Sequence, residues 1–475
     1  MTGVLHLLDK GLETLILVYF LLLNTFYFLF SVLSLAGILR YRRLSTFVRF
    51  GEIFRMPIVK PVSVVVPAFN EGQGIVDSVR SFLSLRYPVF EVIVVNDGST
   101  DQTLARLIEA FDLKPWKAVY RKSLPSKPIR GIYRSPVQPK LIVVDKVNGK
   151  GKADAMNAGL NVSRYPLFCA VDADSILESD ALLKIVRPFL EDPERTIAAG
   201  GIIRLSNGCQ VREGQVTGVA IPRNWIARFQ VLEYLRAFLG GRLGMAMLRS
   251  TLIISGAFGI FRKDIAVACG GYRAASITED IDLVIRMQKL MHDEQRPFRI
   301  QFIPDPICWT EAPESLRVLA RQRGRWHRGL IQTLVKYRRM LFNPRYGVAG
   351  LFAMPFYALF ELTGPFIEVT GYVLFASHVL LGQVNYPFAV VFFFVAVFYG
   401  TFVSLLSILL EELSEHRYPR LRDILILTAS GVAENLFYRQ YLGVVRAWSL
   451  IDYLKGRNVW GAMEKRGFAK AGQGP

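Results

Sequence analysis

A run of 26 consecutive uncharged residues, 14–39, constrains this chain more than any other feature. A helix of that length spans the roughly 30 Å hydrocarbon core of a bilayer. The run is too long for the apolar core of a signal peptide, and no small-residue cleavage site follows it. We therefore predict that residues 1–43 form an N-terminal transmembrane helix.

The flanks of this run predict its orientation. The flank before it carries acidic as well as basic residues, whereas the flank after it carries three basic residues, namely Arg40, Arg42 and Arg43. Lys and Arg are enriched on the cytoplasmic side of membrane helices. We expect an integral protein of an inner or plasma membrane, with the N-terminus outside and the chain from residue 44 in the cytoplasm.

A second apolar region covers residues 348–455 and predicts C-terminal transmembrane helices. Residues 386–410 are uncharged and predict one span. Prolines and glutamates break the preceding stretch, which predicts an interfacial helix and then a span at about 363–382. Residues 424–455 carry charges and have basic flanks, so we expect a re-entrant hairpin or two short oblique helices. Residues 456–475 would be a cytoplasmic tail.

The composition fits a membrane protein that also has a large aqueous domain. Hydrophobic residues make up 52% of the chain, and charged residues still make up 20%. These fractions exclude a disordered chain, a collagen-like fibre and a disulfide-rich miniprotein. The four cysteines lack CxxC spacing, so they indicate neither a disulfide framework nor a thiolate zinc site.

Strand-like and helical patterns alternate between the two apolar regions. Short β-branched runs at 62–66, 90–95, 141–144 and 167–171 are separated by segments of helical periodicity. This alternation predicts βαβ units and a parallel sheet, in which ligands bind beyond the carboxyl ends of the strands.

Acidic residues follow three of these predicted strands. Glu71 follows the first, Asp97 the second, and Asp172 and Asp174 the fourth. One such residue alone is commonly a helix cap, but three groups on one sheet edge indicate a site. The two carboxylates of the D-x-D pair face the same side of an extended chain. They suit Mg²⁺ or Mn²⁺, although a bare D-x-D also occurs in solvated acidic loops.

Two helix starts offer further chemistry. Lys152 opens a predicted helix, where a lysine and free backbone N–H groups form an anion site; a solvated basic turn is the alternative. Glu279 and Asp280 begin another helix, where a carboxylate can deprotonate a hydroxyl nucleophile. The alternative there is that Thr278 simply caps the helix.

Residues 315–347 form a basic, amphipathic interfacial segment without an acidic residue. One interpretation is a helix that lies on anionic lipid. The other is a binding element in which Arg325 contacts a diphosphate and the face of Trp326 contacts a sugar, with Gln322 one turn earlier.

Six motifs occur in a fixed order: PAFNE at 67–71, VNDGS at 95–99, GKA at 151–153, DAD at 172–174, TED at 278–280 and QRGRW at 322–326. In this combination they resemble the membrane-embedded, inverting family-2 glycosyltransferases, which include hyaluronan, chitin, cellulose and poly-N-acetylglucosamine synthases. The resemblance covers roughly residues 60–330. A basic insertion at about 114–140 departs from the pattern.

The resemblance implies an α/β GT-A (Rossmann-like) cytoplasmic glycosyltransferase domain over residues 44–314, combined with an α-helical transmembrane region. It implies a UDP-sugar donor and a divalent metal ion, Mg²⁺ or Mn²⁺. By motif, Glu71 and Asp97 would contact the nucleoside, and Lys152 the diphosphate. Asp172 would lie beside the sugar or ribose, and Asp174 would hold the metal.

The later motifs imply the catalytic and acceptor residues. Asp280 would be the general base, with Glu279 beside it. Gln322, Arg325 and Trp326 match the QxxRW element, which binds the diphosphate and the acceptor in this family. Residues 255–259 match an acceptor-binding segment more loosely.

The implied function is a polysaccharide synthase. It would transfer a sugar, N-acetylglucosamine or glucose, with inversion to a growing chain and couple synthesis to export of that chain across the membrane. Membrane lipids would be partners of the protein, and no export partner is identifiable. One alternative is transfer of a single sugar to a membrane lipid acceptor, and another is a catalytically inactive sugar-nucleotide receptor. The net charge of +19 also permits nucleic-acid binding, but the chain lacks the corresponding signatures, so no nucleic acid partner is expected.

Ionisable residues in or near the predicted membrane helices are candidates for a polysaccharide route. They are Glu361, Glu368, Glu434, Arg439 and Arg446. Charged groups at membrane depth are costly and commonly mark polar paths. The alternative is interfacial placement or mutual ion pairing.

Overall fold

The computed structural model describes residues 2–47, 59–414, 416–418 and 420–456. The predicted tail therefore lies outside the described residues, apart from residue 456. Contacts divide the chain into two compact units. The helical unit comprises Met1–Ile38, Asn224–Met247 and Pro313–Met463, and the α/β unit comprises Leu39–Arg223, Leu248–Ala312 and Glu464–Pro475.

The α/β unit contains twelve strands among its described residues. They are β1 (Val62–Ala68), β2 (Phe90–Asn96), β3 (Lys114–Pro115), β4 (Ile129–Arg134), β5 (Leu141–Lys146), β6 (Leu167–Val171), β7 (Ser175–Leu177), β8 (Thr196–Leu205), β9 (Gln210–Arg212), β10 (Gln215–Gly218), β11 (Phe258–Arg262) and β12 (Arg299–Thr310). The helices between them are Ile75–Leu83, Thr103–Phe111, Lys152–Val162, Ala181–Glu191, Lys263–Ala268 and Glu279–Asp293.

Ten of these strands form one sheet, in the order β3-β4-β5-β2-β1-β6-β11-β8-β12-β7. The four strands β5, β2, β1 and β6 are mutually parallel, as the sequence predicts. Strands that the sequence analysis did not identify add antiparallel pairs to this sheet: β11 runs antiparallel to both β6 and β8, and β4 runs antiparallel to β5. Strands β9 and β10 form a separate hairpin.

The central strands are apolar because both of their faces are covered. Every residue of β2 and of β6 is buried, which is typical of parallel strands packed between helices. The helix Lys152–Val162 lies against this sheet, with Met156 and Leu160 in the same core as Val65 and Val95. This packing fixes the start of the helix, and with it Lys152, relative to the strands.

The basic insertion at 114–140 becomes part of the sheet. Its two strands, β3 and β4, extend the sheet beyond β5. Asn161, on the helix Lys152–Val162, accepts hydrogen bonds from the backbone N–H groups of Ser123 and Leu124 at 3.0 and 2.9 Å. The departure from the family pattern is therefore an ordered extension of the α/β unit.

The helical unit is built from α-helices, several of which continue into one another through short π-helical segments. Its described α-helices are Thr2–Phe47 (up to Ile38), Trp225–Leu235, Leu243–Met247, Leu316–Lys336, Met354–Phe356, Gly364–Leu381, Tyr386–Phe393, Tyr399–Ser414, Leu421–Ala433 and Arg439–Leu454. Residues Asn224–Met247 belong to this unit, although the sequence places them within the segment 44–314.

Three described helices are long and apolar enough to cross a membrane: Asp9–Arg43, Ala349–Leu380 and Tyr386–Ser414. The second is longer than the span predicted at 363–382. Pro355 and Pro365 do not break it. Pro355 lies directly before the π-helical segment Tyr357–Leu362, and Pro365 lies in the first turn of the helix Gly364–Leu381. At the start of the helix Gly364–Leu381, the missing N–H of Pro365 is one that would have no helical partner.

Residues 421–454 form neither of the two predicted arrangements. The helix Leu421–Ala433 continues through a π-helical segment, Glu434–Tyr438, directly into the helix Arg439–Leu454. Glu434 and Arg439, two of the charged residues that suggested a break, lie at this π-helical segment, where Glu434 pairs with both Arg236 and Arg439.

We predict that Gly159→Ala destabilises the α/β unit. A Cβ at this position would lie 2.4 Å from Cγ1 of Val65 in the core, and overpacking typically costs about 1–3 kcal/mol. The melting temperature of the detergent-purified protein should therefore fall. Gly11→Ala is the matched control, because nothing lies within 4 Å of its Cβ position. Equal melting temperatures for the two variants would contradict the predicted packing.

Candidate active site

The loops that follow β1 and β2 are hydrogen-bonded to each other. Asn70, with a left-handed φ of 56°, donates from its backbone N to Ser99 Oγ at 3.0 Å and accepts at Oδ1 from Thr100 N at 2.8 Å. Glu71 N donates to Thr103 Oγ1 at 2.9 Å. These bonds fix the backbone at Glu71, one of the predicted nucleoside-binding residues.

Asp97 is buried in an ion pair that the sequence analysis missed. Lys146, fully buried at the end of β5, pairs with Asp97 and also with Asp154, whose Oδ2 lies 2.6 Å from the lysine Nζ. Gly149 N donates to Asp97 Oδ1 at 2.9 Å. Burial raises the pKa of the Asp97 carboxyl, although the bonds from Lys146 and Gly149 oppose that rise. Asp97 therefore anchors the segment that leads to Lys152.

Lys152 lies at the centre of the predicted catalytic residues. Its Nζ is 2.5 Å from Asp172 Oδ1, 2.7 Å from the Gly256 carbonyl oxygen and 3.9 Å from Glu279 Oε1. Asp280 Oδ2 in turn accepts from Gly256 N at 3.0 Å. Four segments that are distant in sequence thus bring one cation and three carboxylates together; we call this set the Lys152 cluster.

The carboxylates of the Lys152 cluster determine the charge state of its lysine. Burial alone would lower the pKa of Lys152, but the nearby carboxylates Asp172, Glu279 and Asp280 raise it above its ordinary value. The lysine therefore stays charged at neutral pH. Because three carboxylates face one ammonium group, the cluster can accommodate further positive charge.

Asp174 lies in the turn between β6 and β7, two residues after Asp172. Asp172 and Asp174 both lie near the Cys308 thiol. Burial raises the pKa of this thiol, and the negative charges of the two carboxylates raise it further. Hard oxygen ligands of this kind fit Mg²⁺ or Mn²⁺, which protein sites commonly bind through one or two carboxylates plus substrate phosphates.

The D-x-D pair does not form a closed metal cage by itself. In the part of the chain that the structure describes, one group of three His, Cys, Asp or Glu side chains has ligand atoms within 4.8 Å of one another, and it consists of Asp9, Glu13 and His378 in the helical unit. A metal ion held by Asp174 would thus need ligands from a bound substrate.

The helix Glu279–Asp293 begins without the predicted threonine cap. The Thr278 side chain makes no capping bond, and its Oγ1 is buried without a hydrogen-bond partner among the described residues. Asp280 Oδ1 instead accepts from Ile281 N at 2.9 Å. Both Asp280 oxygens therefore accept backbone N–H groups, which fixes the orientation of this carboxylate at the start of the helix.

A second set of contacts holds the Gly-Gly-Tyr loop that precedes this helix. Asn157 accepts from Tyr272 N and donates to Tyr272 O, both at 2.8 Å. Gly271 has φ of +64°, and a Cβ there would lie 2.6 Å from Asn157 Oδ1. The helix that begins with Lys152 therefore also carries the residue that fixes the approach to Asp280.

The remaining predicted site residues lie in the helical unit, on the helix Leu316–Lys336. Gln322 Oε1 accepts from Arg323 Nη1 at 2.6 Å. The guanidinium of Arg323 lies 4.2 Å from the ring centroid of Trp326. Arg325 is partly exposed.

The candidate route residues make polar contacts within the helical unit. Glu434 is fully buried and bonded to Arg236 at 2.6 Å and to Arg439 at 3.3 Å. This ion pairing is the alternative that the sequence left open for Glu434 and Arg439. Arg446 Nη2 lies 3.7 Å from Glu233 Oε1.

The other two candidates accept hydrogen bonds from tyrosines. The hydroxyl of Tyr27 donates to Glu361, and that of Tyr372 donates to Glu368. Both carboxylates are partly exposed. A role in a polysaccharide route therefore stays a prediction for these two residues.

Sequence reasoning missed three charged residues that the structure places at these sites: Lys146, Glu233 and Arg236. The available signal for Glu233 was a single acid in the largely apolar stretch 225–235. Lys146 lies two residues beyond the strand predicted at 141–144 and gave no comparable signal, because its partner Asp97 is 49 residues away.

Family models match most of the α/β unit and the start of the C-terminal helices. The model described as "Glycosyltransferase like family 2" matches residues 129–329, and "Glycosyl transferase family 2" matches residues 63–123. Together they cover more than half of the chain and all six motifs.

Curated relatives include the poly-beta-1,6-N-acetyl-D-glucosamine synthase of Staphylococcus aureus strain COL. It is 27% identical over 278 residues, which are 58% of this chain and 56% of the relative. The synthase of the same name from Staphylococcus epidermidis is 24% identical over 368 residues, 76% of each chain. The match thus spans little more than half of the S. aureus protein.

A solved structure shares the fold. The mannosyltransferase PcManGT of Pyrobaculum calidifontis, in complex with GDP-Man and Mn²⁺, matches with a TM-score of 0.50 and 18% identity, over 87% of this chain and 99% of that one. The predicted GT-A fold is confirmed. Since two models of one family cover the sheet, the Lys152 cluster and the QRGRW motif, the chain belongs to glycosyltransferase family 2.

Proposed function

We propose that this chain transfers a sugar from a nucleotide-diphosphate sugar to a hydroxyl of a growing glycan, with inversion at the anomeric carbon. The observation that supports this most directly is the Lys152 cluster, which combines a charged lysine, a backbone-bonded carboxylate and two further carboxylates. These are the groups that a single displacement from a diphosphate requires.

Asp280 acts as the general base. Its carboxylate takes the proton of the acceptor hydroxyl while the acceptor oxygen bonds to the anomeric carbon. The bond between that carbon and the diphosphate oxygen breaks on the opposite face, and its electron pair leaves with the nucleoside diphosphate. The backbone bonds from Gly256 and Ile281 hold the carboxylate in place for this step.

Lys152 stabilises the leaving diphosphate. Its ammonium group stays charged and lies at the start of a helix, where the helix dipole also favours anions. A fixed positive charge at the point where negative charge develops is an effective form of electrostatic catalysis. Asp172 contacts the sugar or ribose, and Glu71 and Asp97 form the nucleoside side of the pocket.

Asp174 would hold a divalent metal ion, Mg²⁺ or Mn²⁺. When bound, such an ion offsets negative charge on the diphosphate. The P. calidifontis mannosyltransferase, which shares the fold, is described in complex with Mn²⁺ and GDP-Man. The excess of carboxylates in the Lys152 cluster supports the same requirement here.

The names of the staphylococcal relatives support N-acetylglucosamine as the transferred sugar and a growing polysaccharide as acceptor, and the family resemblance implies that the donor is its UDP derivative. Gln322, Arg325 and Trp326 bind the diphosphate and the acceptor, as their motif implies. The three apolar helices support a location in a membrane, and the arginines after residue 39 support a cytoplasmic side for the α/β unit. Glu361 and Glu368 then contribute to an export route.

The proposal is tested by measuring UDP release from a panel of UDP-sugars by the detergent-purified full chain, followed by sizing of the product. Release with one donor and a ladder of product lengths is expected. One discrete lipid-linked product would instead establish transfer of a single sugar. If no nucleoside diphosphate is released from any UDP-, GDP- or dTDP-sugar when glycan and lipid acceptors are supplied, the proposed activity is refuted.

Metal removal should stop the reaction. We expect EDTA to abolish UDP release and Mg²⁺ or Mn²⁺ to restore it. Asp174→Asn should raise the metal concentration for half-maximal rate by more than roughly tenfold, since even outer-shell partners of a metal contribute that much. Asp264→Asn is the control, because that carboxylate pairs with Arg262 on the surface. Turnover that persists in EDTA would refute the metal site.

Asp280→Asn should remove the general base. We expect kcat for transfer to fall by about 10²–10⁴-fold, with donor binding retained. Asp293→Asn serves as the control, because Asp293 lies at the other end of the same helix and pairs with Lys289 on the surface. Unchanged turnover of Asp280→Asn, or an equal loss in the control, would overturn the assignment.

A further inference from the structure

Arg323 is the second residue of the QRGRW sequence at 322–326, a position that the family element QxxRW leaves variable. Its side chain lies between those of Gln322 and Trp326. Its Nη1 donates to Gln322 Oε1 at 2.6 Å, and its guanidinium covers the Trp326 ring at 4.2 Å from the centroid. A guanidinium at this distance binds an aromatic face electrostatically and by stacking. One side chain thus contacts both Gln322 and Trp326.

Burial separates the roles of these residues. Arg323 is only 1% exposed, whereas Trp326 is 37% exposed. A ligand can reach the tryptophan but not the arginine. Arg323 therefore acts on any bound molecule through its neighbours rather than by direct contact.

Glu233 holds the buried arginine from another helix. Its Oε2 accepts from Arg323 Nη2 at 2.8 Å and from the Tyr438 hydroxyl at 3.1 Å. Arg446 lies 3.7 Å from the other carboxylate oxygen. Because a buried guanidinium is costly without a hydrogen-bonded counterion, the carboxylate fixes where Arg323 can lie.

We propose that Arg323, held by Glu233, is a positioning residue that sets the side chains of Gln322 and Trp326 for acceptor and diphosphate binding. The inference rests on the proposed function, because it takes the roles of Gln322 and Trp326 from it. It adds two residues, one on the helix Trp225–Leu235 and one inside the motif, that control the reaction without touching substrate.

Lysine cannot replace arginine in this role. An ammonium group is a single point of charge, so it can pair with Glu233 but cannot also donate to Gln322 and stack on Trp326. Arg323→Lys therefore keeps the buried ion pair and loses the positioning. Glu233→Gln keeps the shape of the side chain and removes the charge that holds the arginine.

The first test is a double-mutant cycle on the purified full chain. Arg323→Lys and Glu233→Gln should each lower kcat/KM for the acceptor by about 10- to 100-fold, as small misplacements of positioning groups do. In a Trp326→Ala background, the additional loss from either change should largely disappear. Equal losses in both backgrounds would show that the two residues act only on general stability.

Arg328→Lys is the matched control. Arg328 lies on the same helix and pairs with Asp452 at 3.7 Å. Its replacement should change the melting temperature more than kcat/KM. A loss in kcat/KM equal to that of Arg323→Lys would overturn the proposal.

A second measurement does not depend on turnover. In protein labelled with fluorotryptophan, the ¹⁹F resonance of Trp326, assigned by its loss in Trp326→Phe, should shift in Arg323→Lys and Glu233→Gln but not in Arg328→Lys. An unchanged resonance would refute the positioning role even if no sugar donor were accepted. A shifted resonance without any turnover would leave the positioning intact and refute the proposed function instead.

Discussion

The charge on Lys152 holds the candidate active site together. Pairing of β6 with β11 brings Asp172 close to Gly256, and without the lysine the carboxylates Asp172, Glu279 and Asp280 would repel one another there. The lysine is fixed in turn by its helix, which packs on the central strands through a close contact at Gly159. Core packing and active-site electrostatics are therefore parts of one arrangement.

Sequence patterns revealed the features of the α/β unit that depend on local composition. The parallel strands could be predicted because strands covered on both faces must be apolar along their whole length. The antiparallel strand β11 and the pair of Lys146 with Asp97 could not, since both depend on contacts between segments distant in sequence. The motifs located the Lys152 cluster, but only the coordinates show that Gly256 links Lys152 to Asp280.

The three long apolar helices show a similar division. The length of the apolar runs indicated where such helices occur, whereas it did not indicate their boundaries. In the sequence, prolines and charged residues indicate that a helix is interrupted. In the structure, Pro355 lies beside a π-helical segment and Glu434 forms an ion pair, and the helices continue. An interruption in hydropathy is thus weak evidence for a break in a helix whose polar groups find partners.

The ends of the ten-stranded sheet have a consequence for folding in the cell. One edge is β3, which has two residues, a lysine and a proline; the other is β7, which has three. Very short edge strands, and lysine or proline at an edge, prevent pairing with strands of other molecules. Newly synthesised copies can therefore complete a large, apolar sheet without joining edge to edge into aggregates.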